Sequence, residues 1–343
     1  MNGAAERHAP RSNAEAVDAV LRAGGPRLAV LLERTEERLV ALAAGHGATL
    51  ARHATTTISA GGKRLRPLLV FLAAGPEANV AVEARLVRAA TAVELIHSAS
   101  LVHDDVLDAA ALRRGAPTVV AAAGRTIATA TGDLLFSRAF AELADGGAGA
   151  LADVRALSAA ASALAAGELL QRADAWDTAV SLERYLHRCE LKTGSLFEAA
   201  CRLGALASAG GSRDGALAGA LGRFGCRIGL AFQLLDDVLD VSGPAERTGK
   251  ARGTDLLDGT VTLPLILARE RDPALARIDL RALRTPEDAE AICDRIAATG
   301  ALAVAKERAL AVVAEARAEL PPLPPAQHEA LELVADGVVE RYA

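Results

Sequence analysis

The sequence predicts an all-α fold, and three features of its composition and patterning lead to that prediction. Aromatic residues make up only 3% of the 343 residues, whereas Ala, Leu and Arg are abundant. β-sheets prefer aromatic and β-branched side chains, and Ala, Leu and Arg are strong helix formers. The hydrophobic fraction of 51% is enough for a large core. Apolar residues also recur at helical spacing, as at Leu28, Leu32, Leu39 and Leu42 after Pro26, which favours the start of a helix.

Short breaks that contain glycine or proline separate the predicted helices. They fall at residues 61–62, 115–117, 146–147, 210–211 and 321–325. Residues 241–259 are not predicted to be helical, because several glycines and a proline interrupt the helical pattern there. We expect this segment to be a loop that acts as a lid. No fixed period of about 20 to 50 residues indicates a repeat protein. We therefore expect a disordered tail at residues 1–14 and one domain over residues 15–343.

Charge and cysteine pattern argue against several classes of protein. The formal net charge of −5 argues against a nucleic-acid-binding protein, which needs a basic face. The four cysteines show no C-x-x-C spacing, so we expect buried thiols. The N-terminal residues lack the apolar stretch of a signal peptide. No stretch approaches about 18 uncharged apolar residues, and the most Ala-rich one, residues 156–167, is too short to span a bilayer. We expect a cytoplasmic protein without a transmembrane segment.

The most informative feature is a pentapeptide, Asp-Asp-Val-Leu-Asp, that occurs at residues 104–108 and again at residues 236–240. On a helix its first and last aspartates project from one face, and the second lies about 100° round the axis. Carboxylates stacked in this way repel each other, and apolar flanks make an uncompensated charge costlier. A cation would relieve this repulsion. We expect the two helices to pack side by side, with their acidic faces across a cavity.

The pentapeptides indicate a Mg²⁺ site. Hard oxygen ligands without a nearby cysteine favour Mg²⁺, which proteins usually hold through one or two carboxylates together with the phosphates of a substrate. The candidate ligands are the six aspartates of the two pentapeptides: Asp104, Asp105, Asp108, Asp236, Asp237 and Asp240.

Two basic clusters are suited to the phosphates of such a substrate. Lys63 and Arg66 follow a pair of glycines, and in the first turn of a helix they share a face where backbone N–H groups also favour an anion. A basic segment alone is more often a solvated patch, but the glycines and the apolar run that follows favour a phosphate site. Arg113 and Arg114 come soon after the first pentapeptide, and arginine binds phosphate through two parallel hydrogen bonds.

Further polar residues interrupt apolar helical patterns. Lys192 and Thr193 place a cation and a hydroxyl in one such pattern, and Lys250 follows a glycine in the lid-like loop. Either lysine alone also fits an ordinary surface position. Gln233 lies three residues before Asp236, on the same helix face, and therefore points towards whatever the second pentapeptide binds.

Two histidines precede the first pentapeptide. His97 and His103 lie on the helix that leads into it, where a lone histidine is more often structural. The doublet His103-Asp104 also occurs in metal phosphohydrolases. That alternative requires further metal-binding histidines upstream, and it leaves the second pentapeptide unexplained.

Taken together, these segments resemble the trans-isoprenyl diphosphate synthases, or polyprenyl synthetases, over most of the chain. Eight segments carry the resemblance in the order in which that family has them. They are GGKRLRP at 61–67, ELIHSASLVHDDVLD at 94–108, RRG at 113–115, GDLLFSRAF at 132–140, GELLQ at 167–171, LKTGSLF at 191–197, FQLLDDVLD at 232–240, and GKARGTDLLDG with TLP between 249 and 264.

The resemblance implies antiparallel helices around a deep central cavity, usually in a homodimer. It also implies the head-to-tail condensation of isopentenyl diphosphate with an allylic diphosphate, with Mg²⁺ as cofactor, in three ions bound with the allylic diphosphate. Asp104, Asp108 and Asp236 would ligate these ions, with Asp105, Asp237 and Asp240 as further ligands or as partners of the ligands. The residues implied for the allylic diphosphate are Arg113, Lys192, Thr193, Gln233 and Lys250. The residues implied for isopentenyl diphosphate are Lys63, Arg66, His97 and Arg114.

The resemblance implies that the residues four and five positions before the first aspartate control the length of the product. In the family, bulky aromatic residues there close the cavity and end elongation early, whereas this chain has Ser100 and Ala99. We therefore expect geranylgeranyl or longer products, with a farnesyl diphosphate synthase as the alternative. The chain departs from the family pattern at Thr260, where a lysine is common after Gly259, and at residues 109–111, which are alanines.

Two rivals belong to other classes. A class I terpene cyclase shares the all-α fold and an aspartate-rich motif, but its second metal site is usually an Asn/Asp, Ser/Thr, Glu triad, and it binds no second diphosphate. A catalytically silent subunit of a heteromeric synthase typically loses aspartates, whereas all six are present here.

Overall fold

The structure is a computed structural model, and it describes residues 13–45, 47–59, 62, 64–76, 80–113, 115–208, 215–243 and 252–340. Three predicted site residues, Lys63, Arg114 and Lys250, lie outside these ranges, as do residues 1–12 of the expected tail. The first helix begins at Asn13, so the last two residues assigned to the tail belong to a helix.

The described chain is almost entirely helical, as predicted. Its first half contains α1 Asn13–Ala23, α2 Pro26–Ala43, α3 Ala48–Ser59, α4 Leu65–Ala74, α5 Val80–Leu107, α6 Val119–Ala144 and α7 Ala150–Ala173. Its second half contains α8 Leu182–Cys189, a π-helix Glu190–Gly194, α9 Ser195–Ser208, α10 Gly215–Ser242, α11 Thr254–Leu257, α12 Leu263–Arg269, α13 Pro286–Ala298, α14 Ala301–Ala318 and α15 Pro325–Glu340. Two short 3₁₀ helices, Leu275–Arg277 and Leu280–Ala282, join α12 to α13.

Local sequence accounts for several helix ends. Pro26 opens α2 as predicted, because proline has no N–H to leave unpaired in a first turn. Thr285 and Asp288 form a reciprocal capping box at the start of α13. α6 is kinked at Gly124, whose φ of 82° only glycine adopts readily.

Two segments differ from the predicted loops. Within the described ranges, the break at 115–117 contributes to a two-stranded ladder, in which β1 Leu112–Arg113 pairs antiparallel with β2 Ala116–Pro117 around Gly115. Residues 241–259 are less irregular than expected, because α10 continues to Ser242 and α11 covers Thr254–Leu257. Residues 244–251 of that segment lie outside the described residues.

Helix α9 is the centre of the bundle, and it packs against α4, α5, α7 and α10. Glycines allow the closest approaches. A Cβ on Gly204 of α9 would lie 2.1 Å from the carbonyl oxygen of Val70 in α4, and one on Gly225 of α10 would lie 2.4 Å from that of Phe197 in α9. The expectation that the two aspartate helices pack side by side is therefore wrong: α5 and α10 both pack on α9 rather than along each other in the described structure.

The cysteines confirm the prediction of thiols, and one helix bears on the membrane expectation. Cys189, Cys201 and Cys293 are buried, Cys226 is half-buried, and all four are free. By length and composition alone, α7 is the one described helix able to cross a membrane, although it is not free of charged residues. This is weak support for a membrane span, because core helices meet the same criteria.

Candidate active site

The first pentapeptide ends α5, and a short hairpin carries an arginine back to it. Asp105 is buried, the Nε of Arg113 donates to its Oδ1 at 2.9 Å, and the Nη2 of Arg113 lies 2.8 Å from the same oxygen. The β1–β2 hairpin sets this distance, because Arg113 pairs with Ala116 in the ladder. Arg113 was predicted to bind a diphosphate, and in this structure its guanidinium is engaged by a carboxylate of the pentapeptide.

A chain of charged side chains runs from the first pentapeptide across α7 to the π-helix. Arg172 donates to Asp108, and its Nε donates to Glu168 at 2.8 Å. Lys192 donates to the other oxygen of Glu168. Sequence reasoning missed Glu168 and Arg172, although their i, i+4 spacing directly after Gly167 was a usable signal.

The charged form of the Asp104 carboxyl is destabilised, chiefly by burial. Burial raises its pKa to about 6 because the charged form is poorly solvated, while Lys192 and Arg113 act against that rise, and Glu168 and Asp108 add to it. For Glu168, burial also acts to raise the pKa, but Lys192 and Arg172 outweigh it and hold the pKa below its usual value. Asp104 is therefore the poorly compensated carboxyl of this network.

Lys192 and Thr193 are presented by the π-helix Glu190–Gly194, which joins α8 to α9. Single π-turns inserted in α-helices often occur at functional sites, since they turn side chains out of the regular register. Helix α7 approaches this turn very closely: a Cβ on Gly167 would lie 2.6 Å from the backbone nitrogen of Lys192. The predicted interruption of the helical pattern thus coincides with a change from α-helix to π-helix. The close contact between α7 and the π-helix requires a glycine at position 167.

The second pentapeptide lies in α10, and its middle aspartate is fully engaged. Asp237 is buried, Tyr185 donates to its Oδ2 at 2.5 Å, and Gln233 donates to its Oδ1 at 2.7 Å. Thr193 donates to the amide oxygen of Gln233 at 2.8 Å. Burial raises the pKa of Asp237 to about 8, and Asp255 adds to that rise, whereas the hydrogen bonds from Tyr185 and Gln233 oppose it.

The outer aspartates of this pentapeptide have different environments. Asp236 is exposed, and Asp240 is half-buried. The backbone of α10 at Asp240 also anchors the segment after the lid-like loop, since Gly253 donates its N–H to the carbonyl oxygen of Asp240 at 2.9 Å. The structure therefore places one aspartate in the wall and leaves another at the surface of the same pentapeptide.

A polar cavity of about 180 Å³ joins these elements. It contains five of the predicted site residues: Asp108, Lys192, Thr193, Gln233 and Asp237. The sequence did not single out the other lining residues, which are Gln171, Arg172, Ala175, Arg188, Cys189, Thr254, Asp255, Asp258 and Thr262, and it noted Thr260 only as a departure from the family pattern. Carboxylates and cations thus line one cavity, which suits a ligand that carries anionic groups and divalent cations together.

The other predicted site residues that the structure describes are not part of this lining. Arg66 stacks over Phe197, with its guanidinium carbon 4.6 Å from the ring centroid, and burial lowers its pKa to about 10 despite the charge of Glu94. The neighbouring Arg64 already donates to Glu94 at 2.7 Å. Within the described chain, the Nε of Arg66 has no hydrogen-bond partner.

The residues expected to control product length and the histidines lie on α5. Ala99 is fully buried and Ser100 nearly so, and the Ser100 hydroxyl donates to the carbonyl oxygen of His97 at 2.8 Å. His103 lies 3.3 Å from Asp133 and stacks on Phe136. No group of three or more His, Cys, Asp or Glu side chains in the described ranges is already arranged to hold a metal ion.

Comparison with known proteins identifies the family. Residues 48–298 match the family model for polyprenyl synthetases. The chain belongs to the polyprenyl synthetase family. Over 296 residues it is 36% identical to a geranylfarnesyl diphosphate synthase from Aeropyrum pernix, which covers 83% of this chain and 92% of that relative. Over 293 residues it is 37% identical to a nonaprenyl diphosphate synthase from Mycobacterium tuberculosis, which covers 83% of this chain and 84% of the relative.

A solved structure agrees with this polyprenyl synthetase assignment. The crystal structure of a polyprenyl synthase from Caulobacter crescentus, complexed with calcium and isoprenyl diphosphate, superposes with a TM-score of 0.81 at 33% identity. The match covers 98% of this chain and 100% of that chain. The protein is a trans-polyprenyl diphosphate synthase, a prenyltransferase from a Mg²⁺-dependent family whose substrates are isoprenyl diphosphates.

Proposed function

We propose that the cavity between α7, the π-helix and α10 binds the allylic diphosphate, and that residues 15–343 act as one catalytic domain. The observation that carries this proposal is the paired arrangement of the two pentapeptides around the π-helix. Lys192 reaches the first pentapeptide through Glu168 and Arg172, and Thr193 reaches the second through Gln233. Adjacent residues of one turn thus connect to both acidic motifs.

The donor set fits Mg²⁺. The aspartates offer oxygen ligands only, and burial raises the pKa of Asp104, so a cation bound beside this carboxyl would stabilise its charged form. Three ions are proposed, held by Asp104, Asp108 and Asp236 together with the diphosphate. Asp105 and Asp237 are proposed as supporting residues, since Arg113 and Tyr185 already occupy their oxygens, and Asp240 as a further ligand.

The proposed chemistry is ionisation of the allylic C–O bond, attack of the double bond of isopentenyl diphosphate on the resulting carbocation, and loss of a proton to the released diphosphate. Negative charge moves onto the leaving diphosphate, and bound Mg²⁺ supplies charge stabilisation there. Lys192, Arg113 and Lys250 would add positive charge at the same leaving group, while Thr193 and Gln233 would orient it. Such contacts strengthen as the bond breaks, so they lower the barrier rather than only tightening binding.

A separate site is proposed for isopentenyl diphosphate at the start of α4, formed by Lys63, Arg66, His97 and Arg114. The support from the described residues is Arg66. Its buried guanidinium retains a nitrogen without a hydrogen-bond partner there, and a buried cation of this kind is stabilised by a bound anion.

The proposed product is geranylgeranyl diphosphate or longer. Ala99 and Ser100 are small and buried on α5, one turn from Asp104, so no bulky side chain stands at the positions that end elongation in the family. The relatives compared here are named for geranylfarnesyl and nonaprenyl products, which differ in length at nearly equal identity to this chain.

A homodimer is proposed through α7. Most of this helix is uncovered in a single chain, and its exposed residues include two charged side chains, Arg155 and Arg172. The exposed residues are Leu151, Ala152, Arg155, Ser158, Ala159, Ser162, Ala165, Ala166, Leu169, Arg172 and Ala173. An exposed apolar surface of this kind is commonly an interface in a symmetric assembly. A cytoplasmic location is part of the same proposal, supported by four free thiols.

The test is incubation of the enzyme with Mg²⁺, labelled isopentenyl diphosphate and geranyl or farnesyl diphosphate, followed by chromatography of the products. All-trans products of geranylgeranyl length or longer would support the proposal. Farnesyl diphosphate as the only product from geranyl diphosphate would replace it with a short-chain synthase. Consumption of the allylic diphosphate without isopentenyl diphosphate would indicate a cyclase, and absence of any turnover would indicate a silent subunit.

A further inference from the structure

Arg188 of α8 is a buried cation whose charge the protein leaves incompletely compensated. Its side chain is 3% exposed, and its Nη2 donates to the carbonyl oxygen of Val261 at 2.7 Å. Among the described residues, its Nη1 has no hydrogen-bond partner. The carboxylate within ion-pair range is Asp174, whose Oδ2 lies 3.9 Å from Nη1 and which already accepts a hydrogen bond from Arg184 at 2.6 Å.

Arg188 is one of the residues that line the polar cavity. It lines the same space as Lys192 and Arg172, which are the other cations of that lining. Lys192 donates to Glu168, and Arg172 donates to Glu168 and Asp108. Arg188 is therefore the cation of the described lining that makes no hydrogen bond to a carboxylate.

The carbonyl group of Val261, which accepts the hydrogen bond from Arg188, lies in a segment that lines the cavity. Val261 is flanked by Thr260 and Thr262, both of which line the cavity. The preceding Gly259 accepts a hydrogen bond from the N–H of Trp176 at 2.8 Å, and a Cβ at Gly259 would lie 2.3 Å from the Trp176 ring. This contact holds the Thr260 segment in place, so the charge of Arg188 has a defined position beside Thr260.

We propose that Arg188 provides positive charge to the diphosphate of the allylic substrate, at the edge of the cavity where Thr260 offers only a hydroxyl. The inference rests on the proposed function of this cavity. A buried guanidinium without a carboxylate hydrogen bond is costly, and an anion in the cavity would offset that cost. Arginine suits a diphosphate in particular, because its planar group can meet two oxygens at once.

The test measures binding of inorganic pyrophosphate with Mg²⁺ by calorimetry in four proteins: wild type, Arg188→Met, Thr260→Lys and the double variant. Methionine keeps much of the side-chain volume and removes the charge. We expect Arg188→Met to weaken pyrophosphate binding by about tenfold or more. Thr260→Lys in the double variant places a new charge beside the lost one, and we expect it to restore most of the affinity. Restoration by a charge at another position would not follow from a purely structural role of Arg188.

Arg202→Met is the matched control. Arg202 is an exposed arginine of α9 paired with Glu198, so this variant has the same change in net charge without a change in the cavity. We expect its pyrophosphate affinity to stay within about twofold of wild type, as for ordinary surface substitutions.

Three results would overturn the inference while leaving the enzyme's function intact. They are unchanged pyrophosphate binding in a folded Arg188→Met protein, failure of Thr260→Lys to restore it, and a loss in Arg202→Met equal to that in Arg188→Met. If Arg188→Met does not fold, the single variant Thr260→Lys decides the question. A pyrophosphate affinity raised by less than about threefold supports the inference, because Arg188 already supplies positive charge there. A gain of about tenfold overturns the inference, because the site then lacks such a charge in wild type. Wild-type protein that forms no prenyl product would instead refute the proposed function.

Discussion

The phenol of Tyr185 donates a hydrogen bond to Asp237 across 52 residues of sequence, and both side chains are buried. Asp237 belongs to the second pentapeptide, whereas Tyr185 lies on α8, just before the π-helix that carries Lys192 and Thr193. This bond ties the acidic motif to the helix that presents the neighbouring polar residues.

Tyr185→Phe should therefore impair turnover with little effect on the fold. Loss of the phenol removes a hydrogen bond that opposes the rise in the pKa of Asp237, so that pKa moves further above about 8. The variant should lose about tenfold in kcat at neutral pH and regain part of it as the pH rises. A pH–rate profile of both proteins between about 6 and 9 measures this. An equal loss of kcat at every pH would instead indicate that Tyr185 contributes only through packing.

Asp104→Asn should abolish activity and, without Mg²⁺, stabilise the fold at neutral pH. The folded-state pKa of Asp104 is about 6, above the ordinary aspartate value of 3.8. Between these values the folded state binds more protons than the unfolded state, so the stability that Asp104 contributes falls as the pH rises through this window. Above pH 6 the asparagine variant should exceed wild type by up to about 3 kcal/mol in unfolding free energy.

Urea unfolding in EDTA at pH 4 and pH 7 measures this difference. The gain should be present at pH 7 and small at pH 4. Asp18→Asn, which changes an exposed aspartate of α1, is the control and should show no such pH dependence. An equal stability change at both pH values would contradict the proposed charge strain at Asp104.

Gly167→Ala should distort the π-turn. The added Cβ would lie 2.6 Å from the backbone nitrogen of Lys192, so α7 or the π-helix must move, which we expect to cost about 1 to 3 kcal/mol. Turnover should fall with stability, because Lys192 lies at the point of contact. Gly219→Ala in α10 is the control: the nearest atom to its new Cβ is 3.7 Å away, and removing a helical glycine should stabilise by about 0.5 to 1 kcal/mol. Similar effects of both substitutions would refute the close-contact argument.

Ser100→Phe should shorten the product. Ser100 lies one turn before Asp104 on the same face of α5, so a phenyl group there would occupy the space proposed for the growing chain. Ser98→Phe is the control, because Ser98 is also buried but lies on another face of α5. Chromatography of products from labelled isopentenyl diphosphate distinguishes the two. The same shortening in both variants would indicate general damage to the core instead of a specific limit on length.

The local pattern of residues carries much of the fold. Helical spacing predicts the helices, Pro26 predicts the start of α2, and the interrupted pattern at Lys192 and Thr193 coincides with the π-helix. These features depend on residues within a few positions of one another, where side-chain type and backbone preference act directly. The sequence therefore determined the helical class, the motifs and the residues that offer oxygen and cationic groups.

Only the tertiary structure decided which partners each motif residue receives. The middle aspartates, Asp105 and Asp237, are identical in their local sequence, yet Arg113 from the adjacent hairpin binds one and Tyr185 from a distant helix binds the other. The contacts of Arg172 with Asp108 and of Arg188 with Val261 likewise join residues far apart in the chain. Such pairings depend on how α7, α8 and α10 pack around α9, and the period of a single helix holds no information about its neighbours.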